Sequence, residues 1–213
     1  MKLSKLETSI YGLKYLPSFS QDLDVLDVLE SEIPSSMLTT GGNGQFSVRN
    51  GRLLRRLLRT RQSIKCIVEI GIARKYEESS THILCSCKNQ DTDYIGFDLD
   101  LAGKMDYAAL YPNCVYFAEN SSNIQGVLEK IKDKGHECID ILLIDGDHSI
   151  KMMANDWKYA EYVRSGGLVL IHDSNYHPGP KYVFDAIDER LFKKKKYFLN
   201  RNDDWGFAVC VKR

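Results

Sequence analysis

The sequence predicts an α/β protein with a doubly wound, mostly parallel sheet, an antiparallel C-terminal edge strand and a helical N-terminal extension. From residue 63 onwards, short apolar runs alternate with helix-length segments, the pattern of parallel strands joined by crossover helices. Only residues 200–205 separate the last two apolar runs. That spacing is too short for a helical crossover and predicts an antiparallel hairpin.

Composition limits the classes of function. The 213 residues contain 29 Lys+Arg and 29 Asp+Glu, so no global charge would attract nucleic acid or an anionic membrane. No apolar run approaches the ~20 residues of a membrane span, and the N-terminal segment lacks the features of a secretory signal. The six cysteines are scattered, which favours reduced thiols in a cytoplasmic protein. The lysine run at 193–196 is interpreted as a solvated loop beside a strand.

The first 60 residues differ in composition and hydrophobic pattern from the rest of the chain. Segment 22–32 is acidic and amphipathic, and segment 39–45 is rich in glycine and polar residues. The following segment, 49–61, carries four leucines on one helical stripe and arginines elsewhere, so we expect the stripe to pack on the domain. We interpret 1–60 as a helical extension or lid, and 61–213 as the main domain.

The main domain is predicted element by element. The first strand ends at Gly71, and Ser79, Ser80 and Thr81 supply N-caps for the helix that follows. Gly135 and the pair Gly166-Gly167 are expected to stop two later helices. Strands are predicted at 64–70, 94–97, 114–118, 139–144, 168–171, 196–199 and 206–211. Helices are predicted at 79–88, 102–110, 124–134, 151–164 and 182–191, with a loop at 178–180.

Acid and imidazole side chains follow the fourth and fifth strands. Asp145, Asp147 and His148 come after one apolar run, and His172 and Asp173 end the other. A right-handed crossover between the two strands places both exits on one edge of the sheet. Ligands of open α/β sheets bind at that edge, so this is the expected acceptor side of an active site.

A second set of polar residues follows the first three strands. Gly71 could give backbone N–H groups to a nucleotide-like ligand or simply make a tight turn. Asp98 could accept the hydroxyls of a ribose, and it could also cap a helix. Asn120 and Ser121, after the third strand, could contact an adenine edge or cap the next helix.

Taken together, the motifs resemble a known family. The resemblance depends on four motifs, on Asp156 and on the C-terminal WGFAVCVKR. The motifs are VEIGIA at 68–73, YIGFDLD at 94–100, LLIDGDHS at 142–149 and GGLVLIHDS at 166–174. The family is the class I S-adenosylmethionine-dependent methyltransferases, with a Rossmann-like fold. The branch is the one that contains macrolide sugar O-methyltransferases and cephalosporin-hydroxylase-like proteins. The resemblance covers residues 64–213.

The resemblance implies roles for particular residues. It implies O-methylation of a small, sugar-like acceptor by S-adenosylmethionine, with Mg²⁺ or another divalent cation as a possible helper. Asp145 and His148, the candidate general base, would be catalytic, while Asp147 and Asp156 could orient that histidine or serve the fold. Tyr176 and His177 would line the acceptor pocket.

The resemblance also implies two sets of ligand-binding residues. The implied cofactor-binding residues are Glu69, Gly71, Ala73, Asp98, Asn120, Ser121 and Asp145. The implied metal ligands are Asp145, His172 and Asp173.

Two other functions stay open at this point. An NAD-dependent oxidoreductase would use Asp98 equally well, but it gives no role to the acids and histidines after strands four and five. A methyltransferase fold kept only for binding or scaffolding is the other alternative, because the charged loop 74–78 replaces a glycine-rich stretch. We expect a small-molecule acceptor and no nucleic acid or membrane partner, while a homo-oligomer stays open.

Overall fold

The structure is a computed structural model that describes residues 48–61, 63–72, 79–102, 104, 106–197 and 205–213. Predictions for segments 22–32 and 39–45, for Ala73 and loop 74–78, and for the connection at 200–204 lie outside these residues. The lid role expected for residues 1–60 therefore stays a prediction beyond the helix that begins at Val48.

Apolar runs form the strands of a single sheet. Their bounds are β1 Cys66–Ile70, β2 Asp93–Asp98, β3 Cys114–Ala118, β4 Ile139–Ile144, β5 Val163–His172, β6 Phe192–Tyr197 and β7 Phe207–Lys212. In the described part of the chain the sheet has seven strands in the order β3-β2-β1-β4-β5-β7-β6. The first five pair in parallel, whereas β7 runs antiparallel to both neighbours. The predicted fold class is confirmed, with the reversed strand lying just inside edge strand β6.

Within the described residues, five α-helices cover the two faces of the sheet. They are α1 Val48–Thr60, α2 Ser80–Cys87, α3 Ile124–Asp133, α4 Ile150–Asp156 and α5 Pro178–Ala186. Side chains of α1 and α2 share one buried cluster with Ile141 and Leu170. Side chains of α3, α4 and α5 share the other cluster with Leu142 and Val169. Neighbouring strand residues thus point to opposite faces, as the two-residue period of a strand requires.

Helix α1 is packed into the domain core. Its four leucines, Leu53, Leu54, Leu57 and Leu58, are at most 5% exposed, which confirms the expected packing of the stripe. Arg61 follows the helix, and its Nη1 donates to the carbonyl oxygen of Gly166 at 2.7 Å. Burial of four leucines contributes on the order of 6–12 kcal/mol before entropy costs, so α1 is bound firmly to the sheet.

Several element boundaries differ from the predictions. The helix expected at 102–110 is present as a 3₁₀ turn, Tyr107–Ala109. The α-helix expected at 151–164 ends at Asp156 and continues as a 3₁₀ helix, Trp157–Tyr162. Gly166 and Gly167 do not stop that helix but lie within β5, where the register against β4 shifts. Pro178 begins α5, because proline lacks the N–H that the first helical turn leaves unused.

The lysine run forms an edge strand, which corrects its assignment to a loop. Lys194 and Lys196 lie over the ring of Phe184 at 5.0 and 4.5 Å from its centroid. Lys194 also donates to the Phe184 carbonyl at 2.9 Å. Lysines on an edge strand discourage pairing with other sheets, so the run has a structural use.

In the described residues, no helix is both long and apolar enough to cross a membrane.

Candidate functional site

The exits of β4 and β5 bring four polar side chains together. His172 Nδ1 lies 2.9 Å from Asp145 Oδ1 and 3.1 Å from Asp173 Oδ1. On the other side of the same carboxylate, His148 Nε2 lies 2.9 Å from Asp173 Oδ2. The side chains of His172 and Asp173 are 5% and 4% exposed, so the cluster is largely shielded from water. The acids and imidazoles at the two strand exits thus lie close together, as expected from the parallel pairing.

Asp173 has a strained backbone. Its φ is 55°, in the left-handed region that non-glycine residues avoid. The residue is 2% exposed, and it directly follows the last residue of β5. Such strain costs of order 1–3 kcal/mol and concentrates at functional sites. Here it turns both oxygens of the Asp173 carboxylate towards histidines.

The charges of the cluster shift the pKa values of its members. Burial opposes the charged form of His172, but Asp145 and Asp173 outweigh burial and raise its pKa to about 10. Burial alone would raise the pKa of Asp173, yet the contacts with His148 and His172 hold it well below its usual range. Asp173 likewise raises the pKa of His148, against the effect of burial. The protein therefore stabilises His172 as an imidazolium between the Asp145 and Asp173 carboxylates at neutral pH.

His148 and His177 form a stacked imidazole pair. Their ring centroids are 4.1 Å apart and the planes differ by 12°. Burial and the nearby His148 lower the pKa of His177, a shift opposite in direction to that of His148. The edge of His177 meets Trp205, which itself stacks on Tyr176 at 5.3 Å. The predicted pocket residues Tyr176 and His177 are thus next to the candidate base.

The two remaining aspartates of this region do not contact His148. Asp147 Oδ1 accepts from the Ser149 backbone N–H at 2.7 Å and so caps the start of α4. Asp156 is 1% exposed, and burial raises its pKa while Ser121 and Asn155 lower it. These contacts support the local fold, and a role of either aspartate in orienting His148 stays a prediction.

Gly71 is required by a close approach of two loops. Its φ is 88°, and an added Cβ would lie 2.3 Å from the backbone oxygen of Asp145. Its N–H donates to the Phe97 carbonyl at 2.9 Å, while the Asp145 N–H donates to the Ile70 carbonyl at 2.8 Å. The turn after β1 thus rests directly on the loop that carries Asp145, and this contact joins the predicted cofactor and acceptor sides.

Glu69 lies in the protein interior, below that turn. Ser80 Oγ donates to its Oε1 at 2.6 Å, and the Tyr94 hydroxyl donates to its Oε2. Full burial raises the pKa of Glu69 to about 7. Since both oxygens already have protein partners, Glu69 holds β1, β2 and the start of α2 together.

Asp98 stands at the exit of β2, as predicted, but it also has protein partners. Its Oδ2 accepts from the Ile72 N–H at 2.9 Å and from Lys104 Nζ at 2.8 Å. Its Oδ1 accepts a longer bond, 3.3 Å, from the Asp100 N–H. A ribose could therefore use Oδ1 readily, whereas use of Oδ2 requires competition with Lys104.

Asn120 and Ser121 follow β3 in a turn. Asn120 Oδ1 accepts from the Ser122 N–H at 2.8 Å, and the Ser121 carbonyl accepts from the Tyr159 hydroxyl at 2.6 Å. The Asn120 side chain and the Ser121 carbonyl thus support the local fold, and the turn stands at the same sheet edge as Asp98. Their predicted contact with an adenine stays a prediction.

Sequence reasoning missed two polar contacts of this region. Asn50 Nδ2 lies 3.1 Å from His172 Nε2, although the two residues are 122 positions apart. Lys104 pairs with Asp98 from six positions further along the chain. The first contact has no local signal because α1 reaches the site only through packing. The second could have been suspected from the short Asp98–Lys104 spacing.

The donor set fits a divalent cation. Asp145, His172 and Asp173 each offer one ligand atom, and the three atoms lie within 4.8 Å of one another. Asp173 Oδ1 is buried and accepts no aligned hydrogen bond, despite the nearby His172 nitrogen. A cation bound there would give this oxygen a directed bond in place of the charge contact with His172. The residues named by the resemblance as metal ligands therefore have the required chemistry.

Solved methyltransferase structures share this fold. An rRNA methylase from Streptococcus thermophilus covers 76% of this chain and 93% of its own, at 15% identity and a TM-score of 0.52. A putative rRNA methylase from Clostridium thermocellum covers 80% and 98%, at 15% identity and a TM-score of 0.53. MycE methyltransferase of the mycinamycin biosynthetic pathway, in complex with Mg, SAH and mycinamycin VI, covers 88% and 54%, at 19% identity and a TM-score of 0.55.

Sequence comparison gives the family. An uncharacterized protein of Acanthamoeba polyphaga mimivirus is 31% identical over 132 residues, which are 57% of this chain and 57% of that protein. The chain therefore spans little more than half the length of that curated relative. The family model described as a methyltransferase domain matches residues 68–174, half of the chain, from β1 to just beyond β5. The chain belongs to this methyltransferase-domain family.

Proposed function

We propose that the protein transfers a methyl group from S-adenosylmethionine to a hydroxyl of a small, sugar-like acceptor. The observation that carries the proposal is the contact between the two halves of the site. Gly71, beside the candidate cofactor turn, packs against the backbone of Asp145, which belongs to the acid–imidazole cluster. A cofactor bound over the first turn would thus lie beside the cluster that handles the acceptor.

In this proposal the cofactor binds at the exits of β1 to β3. The ribose hydroxyls donate to Asp98, and the adenine lies near Asn120 and Ser121. Backbone groups around Gly71 face the methionine end, with Glu69 holding the turn from below through Ser80 and Tyr94. The bound cofactor supplies the sulfonium leaving group, so the protein has to position the acceptor and remove its proton.

The candidate base is His148. With Nε2 turned towards Asp173, Nδ1 is the nitrogen left to take a proton. The acceptor oxygen attacks the methyl carbon, the carbon–sulfur bond breaks, and its electron pair stays on sulfur as the thioether. The hydroxyl proton passes to His148, and Asp173 stabilises the imidazolium that results. His177, stacked on the ring, limits its rotation.

A divalent cation, if bound, would be held by Asp145, His172 and Asp173. It would lower the pKa of the acceptor hydroxyl and fix a neighbouring oxygen.

Calorimetric titration tests the cofactor part of the proposal. The protein is titrated with S-adenosylmethionine and, separately, with NAD. We expect binding of S-adenosylmethionine alone, weakened at least tenfold in D98A and unchanged in D100A, since Asp100 is an exposed neighbour that caps Ala102. Binding of NAD would favour the oxidoreductase alternative, and binding of neither would favour a scaffold.

Methyl transfer tests the acceptor part. Labelled S-adenosylmethionine is supplied with a panel of sugar-hydroxyl compounds and, in a separate arm, with RNA. We expect label in the sugar compounds and a rate reduced at least 100-fold in H148Q, with cofactor affinity preserved. Label in RNA alone would contradict the small-acceptor proposal while leaving the methyltransferase part intact.

A further inference from the structure

The cluster Asp145–His172–Asp173 contains one nitrogen donor among its ligand atoms. Asp145 Oδ1 lies 2.9 Å and Asp173 Oδ1 lies 3.1 Å from His172 Nδ1, and these distances suit a hydrogen-bonded ion pair. They also suit neighbouring ligands of one first-row ion, since bonds of ~2.0–2.2 Å place adjacent donors about 3 Å apart. The distances alone therefore do not separate the two uses of the cluster.

A buried oxygen separates them. Asp173 Oδ1 is buried in a side chain that is 4% exposed, and it accepts no aligned hydrogen bond. Its contact with His172 Nδ1 at 3.1 Å is a charge contact without that alignment, and the backbone of Asp173 has a positive φ. Both features are explained if the carboxylate is held in place for a ligand that bonds to Oδ1.

The imidazole of His172 is oriented for such a ligand. The Asn50 amide faces Nε2 at 3.1 Å, and this contact turns Nδ1 towards the two carboxylates. An amide can present either its N–H or its oxygen to the ring, so it accepts either tautomer. A polar partner on the far nitrogen is the usual arrangement around a metal-bound histidine.

The donor types select among cations. Mg²⁺ prefers oxygen ligands in near-octahedral geometry, whereas imidazole suits Mn²⁺, Fe²⁺, Co²⁺ and Zn²⁺ progressively better. We infer that Asp145, His172 and Asp173 bind a first-row transition-metal ion in preference to Mg²⁺, and that His172 sets this preference. The purpose of the ion rests on the proposed methyltransferase function, but its binding is measurable without cofactor or acceptor.

An overlapping donor set competes for the assignment. His148, Asp173 and His177 also offer ligand atoms within 4.8 Å of one another. Their two rings are stacked nearly parallel at 4.1 Å, and two parallel rings do not point their nitrogens at one ion without tilting. The set around His172 needs no such rearrangement, so it is the assigned site.

Metal competition tests the inference. EDTA-treated full-length protein is dialysed against equimolar Mg²⁺, Mn²⁺, Co²⁺ and Zn²⁺, and the retained metals are quantified by mass spectrometry. We expect one transition ion per chain, with Mn²⁺ retained at least tenfold over Mg²⁺. The variant H172D, which has only oxygen donors, should lower the Mn²⁺ to Mg²⁺ ratio at least tenfold. D147N, a neighbour outside the cluster, should leave the ratio unchanged.

Cobalt binding provides a readout that needs no variant. Co²⁺ added to the metal-free wild-type protein should develop visible d–d absorption that saturates at one equivalent. Should H172D fail to fold, H172N replaces it as a neutral oxygen donor of similar size.

Three results would overturn the inference: equal retention of Mg²⁺ and Mn²⁺ by the wild type, retention of no ion, or ion loss in H148Q with retention in H172N. Failure to bind S-adenosylmethionine with metal selectivity intact would contradict the proposed function alone.

Discussion

The two halves of the sheet edge satisfy their polar groups in different ways. At the exits of β1 and β2, Glu69 and Asp98 accept hydrogen bonds from Ser80, Tyr94, Ile72 and Lys104. At the exits of β4 and β5, a strained aspartate keeps one buried oxygen without an aligned donor. The cofactor half is thus complete within the protein, whereas the acceptor half is arranged for one more partner.

This difference indicates that ligand binding costs more energy at the cofactor half than at the acceptor half. A cofactor that uses Asp98 has to displace or share an ammonium group that is already in place. A cation at Asp173 would take the place of the His172 Nδ1 proton between the Asp145 and Asp173 carboxylates. We expect the cofactor half to change on binding and the acceptor half to bind with little movement.

The contact that joins the halves is tested by G71A. The new Cβ would lie 2.3 Å from the Asp145 oxygen and would also occupy a φ of 88°, so we expect a loss of about 3–5 kcal/mol in unfolding free energy. G135A is the matched control, because Gly135 has the same φ with no atom within 4 Å of an added Cβ. It should cost about 1 kcal/mol by urea denaturation. Equal losses would show that backbone strain, rather than the contact, explains Gly71.

The completeness of the cofactor half is tested by E69Q. A carboxyl whose folded pKa is raised stabilises the fold below its ordinary value of 4.5, and this contribution is lost as pH rises through about 7. The glutamine variant should match the wild type near pH 5 and exceed it above pH 8 by up to about 3 kcal/mol. Urea denaturation at both pH values provides the measurement. A difference that is the same at both values would contradict a buried, titrating Glu69.

The acceptor half is tested by two aspartates of one motif. Asp145 lies in the cluster, while Asp147 caps α4 through Ser149. D145N removes a charge beside His172 and should lower methyl transfer at least 100-fold, which corresponds to about 2.7 kcal/mol. D147N should stay within about twofold of the wild type. Comparable losses of methyl transfer in the two variants would mean that the DGDH motif supports the fold and that Asp145 has no separate role in the reaction.

The competition at Asp98 is tested by K104M. Removing the ammonium frees Asp98 Oδ2 for the ribose, so calorimetry should show S-adenosylmethionine binding about fivefold tighter, or roughly 1 kcal/mol. K65M removes an exposed lysine that pairs with Asp91 at the opposite edge of the sheet, and it should change nothing. Weaker binding in K104M would reverse the interpretation and make Lys104 a residue that positions Asp98 for the cofactor.

The sequence by itself determined the fold class and the place of the site. The spacing of apolar residues and the length of each apolar run identify strands and helices locally. Parallel pairing of the strands then brings the polar residues that follow them to one edge of the sheet. These local patterns alone predict that Asp98, Asp145, His172 and Asp173 lie at that edge. The DGDH and GG-apolar-HD motifs added the family, because their residues are contiguous in the chain.

Only the tertiary structure decided what each of these groups already contacts. The Asn50–His172 contact spans 122 positions, and the burial of Glu69 depends on Tyr94 in the neighbouring strand. The glycine pair at 166–167 lies within β5, where the register against β4 shifts and Arg61 donates to the Gly166 carbonyl, although local propensity favours a helix stop there. Such partners come from packing between distant segments, and no local pattern in the chain records them.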